Sequence, residues 1–522
     1  MTSRHYDVIV LGRSIGALSV AALLARREFR VLLLGQGERP PMYHVDAHLM
    51  CRRTFTMLSA TSPCWKRILQ ELAQTQRFRR RIQALDPMFV VLSGERRIAI
   101  PPDIELFYRE VEREFPEVRQ LVDEVYAMFA HVNAAADAAF EREAVWPPGT
   151  FWERLETGRI ATSLPLVNAE QNDLLGKFPA GHPYRQIIWL PAMFATHAAT
   201  PGDQLAAFAL ARLHGAWTRG VNGLVCGEQE LERFLVERIE AHGGVCRLEH
   251  RASRILVQRG AVCGVMQEGD EEPTGASSVV AALSGELVAE LSGGEGVTKG
   301  AQRDWPRLTA SAGRFVVSLS VNPAALPDPL SQEAFLIPRG DGTPNPRKPV
   351  VHLQRLDSAD YHPTQNGEQA PALLVAETIL PIRGPLTLLE ARQAVLTTLR
   401  DQLPFLNEHL IAVDSPHDGL PAYEFGERGI REIDRIHIKE SKPGPEPMQP
   451  LWNVDPPGFL GLGGEPIRGP IPGTFLVGPS VLPALGQEGE LLAAWGAARL
   501  ITKHDKRRQK MRQKLWTKIE TN

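Results

Sequence analysis

The residues best placed to do chemistry stand near the two ends of the chain. Gly12-Arg13-Ser14-Ile15-Gly16-Ala17 separates an apolar run, Asp7 to Leu11, from an Ala/Leu-rich stretch. A tight turn from a strand into a helix leaves backbone amides without partners, and with the helix dipole they attract a phosphate. The dinucleotide fingerprint places glycine at the positions held here by Gly12, Ser14 and Ala17. Gly12 keeps the turn. Ser14 adds a Cβ and a hydroxyl where the backbone should come closest to a pyrophosphate, and that hydroxyl could bond a phosphate oxygen. Ala17 is a tolerated substitute at the helix–strand contact, Gly16 adds local slack, and Arg13 brings a cation into the turn beside Ile15. The second strand, Arg30 to Leu34, ends on Gly35-Gln36, where an acidic residue normally takes the ribose hydroxyls. Gln36 offers one neutral acceptor, weaker than a carboxylate. The candidate nucleotide-binding residues are thus Gly12, Arg13, Ser14, Ile15, Gly16, Ala17 and Gln36.

Near the other end, Thr474 to Gly478 reads as a buried strand, Pro479 to Gly489 as a turn, and Glu490 to Ile501 as a helix. The same geometry again presents backbone amides, here to an anion or an electron-rich ring edge. Gly478, Ser480, Gly486 and Gly489 are the candidates in this second turn. His44, Asp46 and His48 would share one face if their segment were a strand, setting two imidazoles beside a carboxylate. Three neighbouring residues alone seldom make a metal site, so no metal is expected, and a place near cofactor or substrate competes with plain structural use. No HExxH, GxSxG or Walker loop occurs, which leaves protease, α/β-hydrolase and P-loop chemistry without support. No catalytic side chain stands out.

Holding these turns requires an α/β frame, and 522 residues can build two or more cores. A composition of 43% hydrophobic and 23% charged residues is ordinary for a soluble enzyme, and a net charge of −3 gives no general reason to bind nucleic acid. Five cysteines (Cys51, Cys64, Cys226, Cys246, Cys263) without a CxxC pair suggest reduced thiols and a cytoplasmic location. The first residues fit no signal peptide, and no run of about 20 apolar residues occurs.

Periodicity orders the rest. Arg52 to Ala144 is mostly helical, broken by a strand pair, Met88–Leu92 and Arg97–Ile100. Residues 151–215 read as helical around the apolar stretch Ile187 to Ala195. Gly220 to Leu224 precedes a helix from Glu228 to Ala241, a strand at Val245–Leu248, a pair formed by Arg254–Gln258 and Ala261–Val265, and a strand at Ser278–Ala282. Residues 313–440 alternate strands with a helix from Leu388 to Leu403, opened by capping-box spacing at Thr387 and Glu390 and closed before Pro404. A Pro/Gly-rich loop is expected from Lys442 to Pro472. The fold class is α/β: a Rossmann-like FAD/NAD(P)-binding domain (parallel sheet, ββα three-layer), for which the family resemblance set out next implies three pieces (1–60, 215–290, 471–502) and an inserted α+β substrate domain (61–214, 291–470). Residues 503–522 form a basic tail in which Met511, Leu515 and Ile519 would share a helical ridge beside Trp516. Such a segment suits an anionic membrane surface.

In this order the three blocks resemble the phytoene desaturase branch of the FAD-dependent, amine-oxidase-like flavoproteins. Gly220-Val221-Asn222-Gly223-Leu224 echoes the family's "GG…L" turn. Val477 to Gly489 echoes its "VGxSTHPGGGVPG" turn, with Gly478, Ser480, Pro483, Gly486 and Gly489 in register and Ala484 and Leu485 in place of two glycines. The family's GGR element is replaced by Gly37-Glu38-Arg39-Pro40. The resemblance implies FAD, its ADP part on the first turn and its flavin on the closing turn. It also implies desaturation, dehydrogenation, isomerisation or hydration of an apolar carotenoid- or lipid-like substrate, with the tail docking the enzyme peripherally on a membrane. The alternative is a non-catalytic member that has lost FAD and binds a lipid or a protein partner, which the changes at Ser14, Gly35, Gln36, Ala484 and Leu485 would accompany. An oxidase of polar amines would want an aromatic cage, and no aromatic cluster marks one.

Overall fold

The apolar run at the start forms β1 (His5–Leu11), which enters α1 (Ile15–Arg26) through the Gly12 turn and returns as β2 (Val31–Leu34). In the computed structural model, which describes residues 5–94, 96–167, 169–170, 174–199, 205–327, 330–338, 347–357 and 370–503, β1 lies between β2 and the strand Thr274–Ala281, all parallel. Val245–Arg247 extends the sheet beyond β2, and the closing strand Thr474–Leu476 lies parallel to Val279–Ala281. An antiparallel pair, Ala252–Gln258 and Ala261–Gln267, completes it by joining the first residues of Thr274–Ala281. Val8 to Leu11 and Val31 to Leu34 are continuous apolar runs because both faces of this parallel sheet are buried. The Rossmann-like frame is therefore assembled from three separate stretches of chain.

α1 is buried from Ile15 to Ala25, more completely than a surface helix, because the closing helix Gly486–Lys503 packs along it. At Gly16 a Cβ would stand 2.1 Å from the Val477 carbonyl oxygen. The missing side chain thus lets α1 approach the chain just past the strand Thr474–Leu476, with Glu490 of the closing helix 3.3 Å from the same position. Arg27, just past the end of α1, makes a wholly buried ion pair with Glu71 at 2.6 Å and donates to Thr502 Oγ1 at 2.9 Å, tying three helices together.

A second, ten-stranded sheet faces the first across a cleft. Its centre is the long strand Arg307–Val321, flanked by Ala372–Pro381, Val351–Asp357 and Glu333–Ile337 on one side and Leu410–Asp414 on the other. Phe89–Ser93 and Arg96–Ile100, the expected strand pair, form its far edge. The capping box at Thr387 and Glu390 opens the helix Leu388–Gln402 as expected.

Three local expectations are corrected. The closing helix starts at Gly486, not Glu490, because Gly486 and Gly489 serve tight packing: a Cβ would lie 2.0 Å from the Ala195 carbonyl oxygen at Gly486 and 2.3 Å from that of Leu482 at Gly489. The loop from Lys442 to Pro472 contains a strand, Gln449–Asp455, paired along one side with Arg307–Arg314. Its Pro450 is tolerated because an edge strand leaves one side unpaired. His44, Asp46 and His48 do not share a strand face. Met42–Val45 and His48–Cys51 form a hairpin with Asp46 in its turn at φ +49°, and the three residues face Glu440, Arg431 and Glu424 respectively. No helix among the described residues is long and apolar enough to cross a membrane. The tail beyond Lys503 lies outside the described residues.

Candidate functional site

The cleft between the sheets holds a cavity of about 520 Å³. The first turn lines one end with Arg13, Ser14 and Ile15, joined by Gln36 to Arg39 and by Ala282 to Ser284. The closing turn and helix add Pro479, Ser480, Gln487 and Glu490. The other end is the face of the second sheet, with Arg314, Val316, His352 and Glu377, walled by Phe194, His197, Trp217 and Trp452.

Of the expected cofactor residues, Arg13, Ser14, Ile15, Gln36 and Ser480 line this cavity, whereas Gly12, Gly16, Ala17, Gly478, Gly486 and Gly489 lie behind it. These glycines permit backbone contact. Gly12 sits at φ +106° with room for no Cβ, since one would stand 2.8 Å from Ala282 Cβ, and at Gly478 one would stand 2.5 Å from the Ala282 carbonyl oxygen. Both turns are therefore seated against the end of Thr274–Ala281. The missing acid after β2 also has a spatial cause. At Gly35 a Cβ would be 1.9 Å from the Leu248 carbonyl oxygen, so the chain following Val245–Arg247 occupies that place. Gln36 is turned to its neighbour strand, donating to the Ala252 carbonyl at 2.9 Å and accepting the Ala252 N–H at 3.0 Å.

Carboxylates that the sequence did not single out occupy the first turn. Glu38 accepts the Arg13 N–H at 3.3 Å, and Glu490 reaches the Gly16 N–H at 3.4 Å. Ser14 caps α1 by accepting the Ala17 N–H. The Arg13 guanidinium is held by both oxygens of Glu232 at 2.7 Å, and Arg53 pairs with Glu228. Burial pushes the Glu38 carboxyl up to about 7 against the opposing pull of Arg53 and Arg13, so it takes a proton near neutral pH. A protonated Glu38 can donate to a phosphate oxygen, whereas an ionised one would oppose a phosphate together with Glu490. The turn and its helix N-terminus fit a pyrophosphate once Glu38 is neutral and the ligand displaces Glu490 from the Gly16 amide and Glu232 from the Arg13 guanidinium. One legible signal was available: Glu38-Arg39 stands where the family's GGR element is replaced.

Three buried histidines also line the cavity. His197 meets Glu490 at 3.1 Å, His352 meets Glu333 at 2.7 Å, and His417 meets the Glu446 carbonyl at 3.0 Å. In each ring the second nitrogen is buried without a hydrogen-bond partner. Burial lowers the His417 pKa, favouring the neutral ring. These histidines lie far apart in sequence and converge only through the fold.

No protein-family model matches the chain, and a search of curated proteins finds no match. Solved structures do share its architecture. An oxidoreductase from Methanosarcina mazei superposes with a TM-score of 0.56 at 13% identity, covering 95% of this chain and 99% of that one. A triple mutant of putrescine oxidase, made in a redesign of cofactor binding, gives 0.56 at 14% identity over 96% and 99%. The PF1083 protein from Pyrococcus furiosus gives 0.52 at 12% identity over 95% and 97%. At such identities the likeness establishes the fold, a Rossmann-like domain combined with a second domain over nearly the whole chain.

Proposed function

We propose that this protein is a flavin-dependent oxidoreductase of the amine-oxidase-like architecture. The observation that carries the reading is the convergence of two helix N-terminal turns, at Ser14 and at Gln487, on one cavity that continues to the polar face of the second sheet. An oxidoreductase and an oxidase with a cofactor site among the structural neighbours support it. FAD would be held through its pyrophosphate by Arg13, Ser14 and the first amides of α1, and at its other end by Ser480 and Gln487. Bound there, FAD would supply a hydride acceptor. The chain itself binds, orients and shields the reactants.

The substrate end of the cavity carries Arg314, Glu377, His197 and His352. These groups favour a small polar substrate over the long polyene suggested by the resemblance, because burying them against hydrocarbon would leave polar atoms without partners. Association of the 503–522 segment with an anionic membrane rests on its composition, and sedimentation with phosphatidylserine vesicles tests it.

The site assignment is tested by titrating the flavin-stripped protein with FAD and following flavin absorbance and fluorescence. Ser14→Asp keeps an N-cap acceptor for α1 while adding a charge where the pyrophosphate would lie. We expect stoichiometric FAD binding by the wild type, and binding at least about tenfold weaker in Ser14→Asp with its melting temperature retained. Equal affinity in the variant refutes the site, and no binding by the wild type refutes the flavin. One observation favours the flavin-free reading: Arg13, Gln36 and the Arg13 N–H all have partners within the protein. The same titration decides between the two.

A further inference from the structure

We propose that the outward face of the helix Phe151–Ala161 is a docking surface for an anionic lipid membrane, with Phe151, Trp152 and Leu155 entering the interface. The proposal rests in part on the attraction of the 503–522 segment to anionic lipid, and it adds which face of the folded protein meets the bilayer.

This helix is firmly seated. A capping box between Thr150 and Glu153 fixes its start, and Arg468 holds the Glu153 carboxylate at 2.7 and 2.8 Å. Thr157, Ile160 and Ala161 are its buried residues. At about 100° per residue, Phe151, Trp152 and Leu155 fall on the opposite side. They are 72%, 75% and 40% exposed, and the Phe151 and Trp152 rings meet edge to face at 5.5 Å. The face continues at Gly158 and Thr162 into an apolar groove also lined by Leu166, Phe459 and Leu460. A contiguous apolar surface of this kind marks a place of contact rather than a scatter of single exposed residues.

The charges around it select the partner. Arg154 and Arg159 are exposed along the same side of the helix, and aromatic rings flanked by arginines suit a helix lying in a headgroup layer, with rings among the acyl chains and guanidinium groups at the phosphates. Glu156, at the edge of the face, meets Arg499 at 3.8 Å. That contact also locates the basic segment. Arg499 stands one turn before the end of the closing helix at Lys503, so the chain leaves the described residues about 6 Å along the helix axis from it. Residues 504–522 hold seven lysines and arginines against Asp505 and Glu520. Two copies paired through this face would bring two such segments together, and like charges disfavour that pairing. An anionic bilayer accepts both the apolar face and the cations.

The test floats the full chain with vesicles of phosphatidylcholine alone and of equal parts phosphatidylcholine and phosphatidylserine. We expect binding to the mixed vesicles only, weakened by salt, with the Trp152 emission shifted to the blue, read as the difference between the wild type and Trp152→Phe. The double variant Phe151→Ser, Trp152→Ser should bind at least about tenfold more weakly. Its melting temperature should be retained, because exposed side chains contribute little to stability. If the double variant binds like the wild type while removal of residues 504–522 abolishes binding, the tail reading stands and the proposed face is overturned. If the double variant loses binding and the truncated chain keeps it, the face is supported and the tail reading falls. A wild type that ignores the mixed vesicles overturns both. A dimer that the double variant dissociates assigns the face to a second copy and overturns the proposal.

Discussion

Replacing Glu38 with glutamine should stabilise the protein above neutral pH and flatten its pH dependence. Burial raises this carboxyl from its ordinary 4.5 to about 7. Between those values the folded chain holds a proton that the unfolded chain has released. Stability therefore falls as pH rises through that window and stays lower above it. At about 1.36 kcal/mol per pH unit the full difference is roughly 3 kcal/mol. Cavity water reaches part of the residue, so about 1–3 kcal/mol is the expected range, a sizeable share of a typical stability of about 5–15 kcal/mol. Glutamine retains an oxygen for the Arg13 N–H without the charge. The assay is urea unfolding of both proteins at several pH values from 5 to 8. The variant's advantage should be small or negative at pH 5 and reach its maximum near pH 8. A difference that stays constant with pH would refute the protonation of Glu38 and the electrostatic account of the first turn.

The same carboxyl makes FAD affinity pH-dependent: binding should tighten as pH falls from 8 to 7, by up to about fivefold, measured by flavin titration. Gly16→Ala should destabilise by about 1–3 kcal/mol in urea unfolding, although alanine is the better helix former, because its Cβ would stand 2.1 Å from the Val477 carbonyl oxygen. Arg27→Met should cost about 3–5 kcal/mol by leaving Glu71 charged and alone in the core, and Arg27→Met with Glu71→Leu should recover much of that loss. Burial pushes the Cys51 and Cys64 thiols up to about 12. Both should therefore resist a thiol reagent at pH 8 in the native protein and react once it is unfolded, as peptide mapping would reveal.

Much of the frame was legible because local patterns carry it. An apolar strand, a glycine turn and an Ala/Leu-rich helix can be read from Val8 to Ala25 in order, and the capping box at Thr387 and Glu390 marks its helix by spacing alone. The closing helix was misread by four residues because Gly486 and Gly489 look like turn residues until Ala195 and Leu482 are brought against them. The strand Gln449–Asp455 was hidden by Pro450 within it and by a partner about 140 residues earlier in the chain.

The sequence by itself determined that two strand–turn–helix units exist and that their inner glycines have been altered, since strand, turn and helix are each written within a few residues. Only the tertiary structure decided what those changes mean. It shows that Leu248 fills the place of the missing acid, that Glu38 and Glu490 take the turn amides, and that three separate segments, carrying Thr56, Glu333 and His352, close one buried hydrogen-bond network. Three of these contacts, Gly35 with Leu248, Gly16 with Glu490 and Thr56 with Glu333, join residues more than 200 positions apart, which no local pattern encodes.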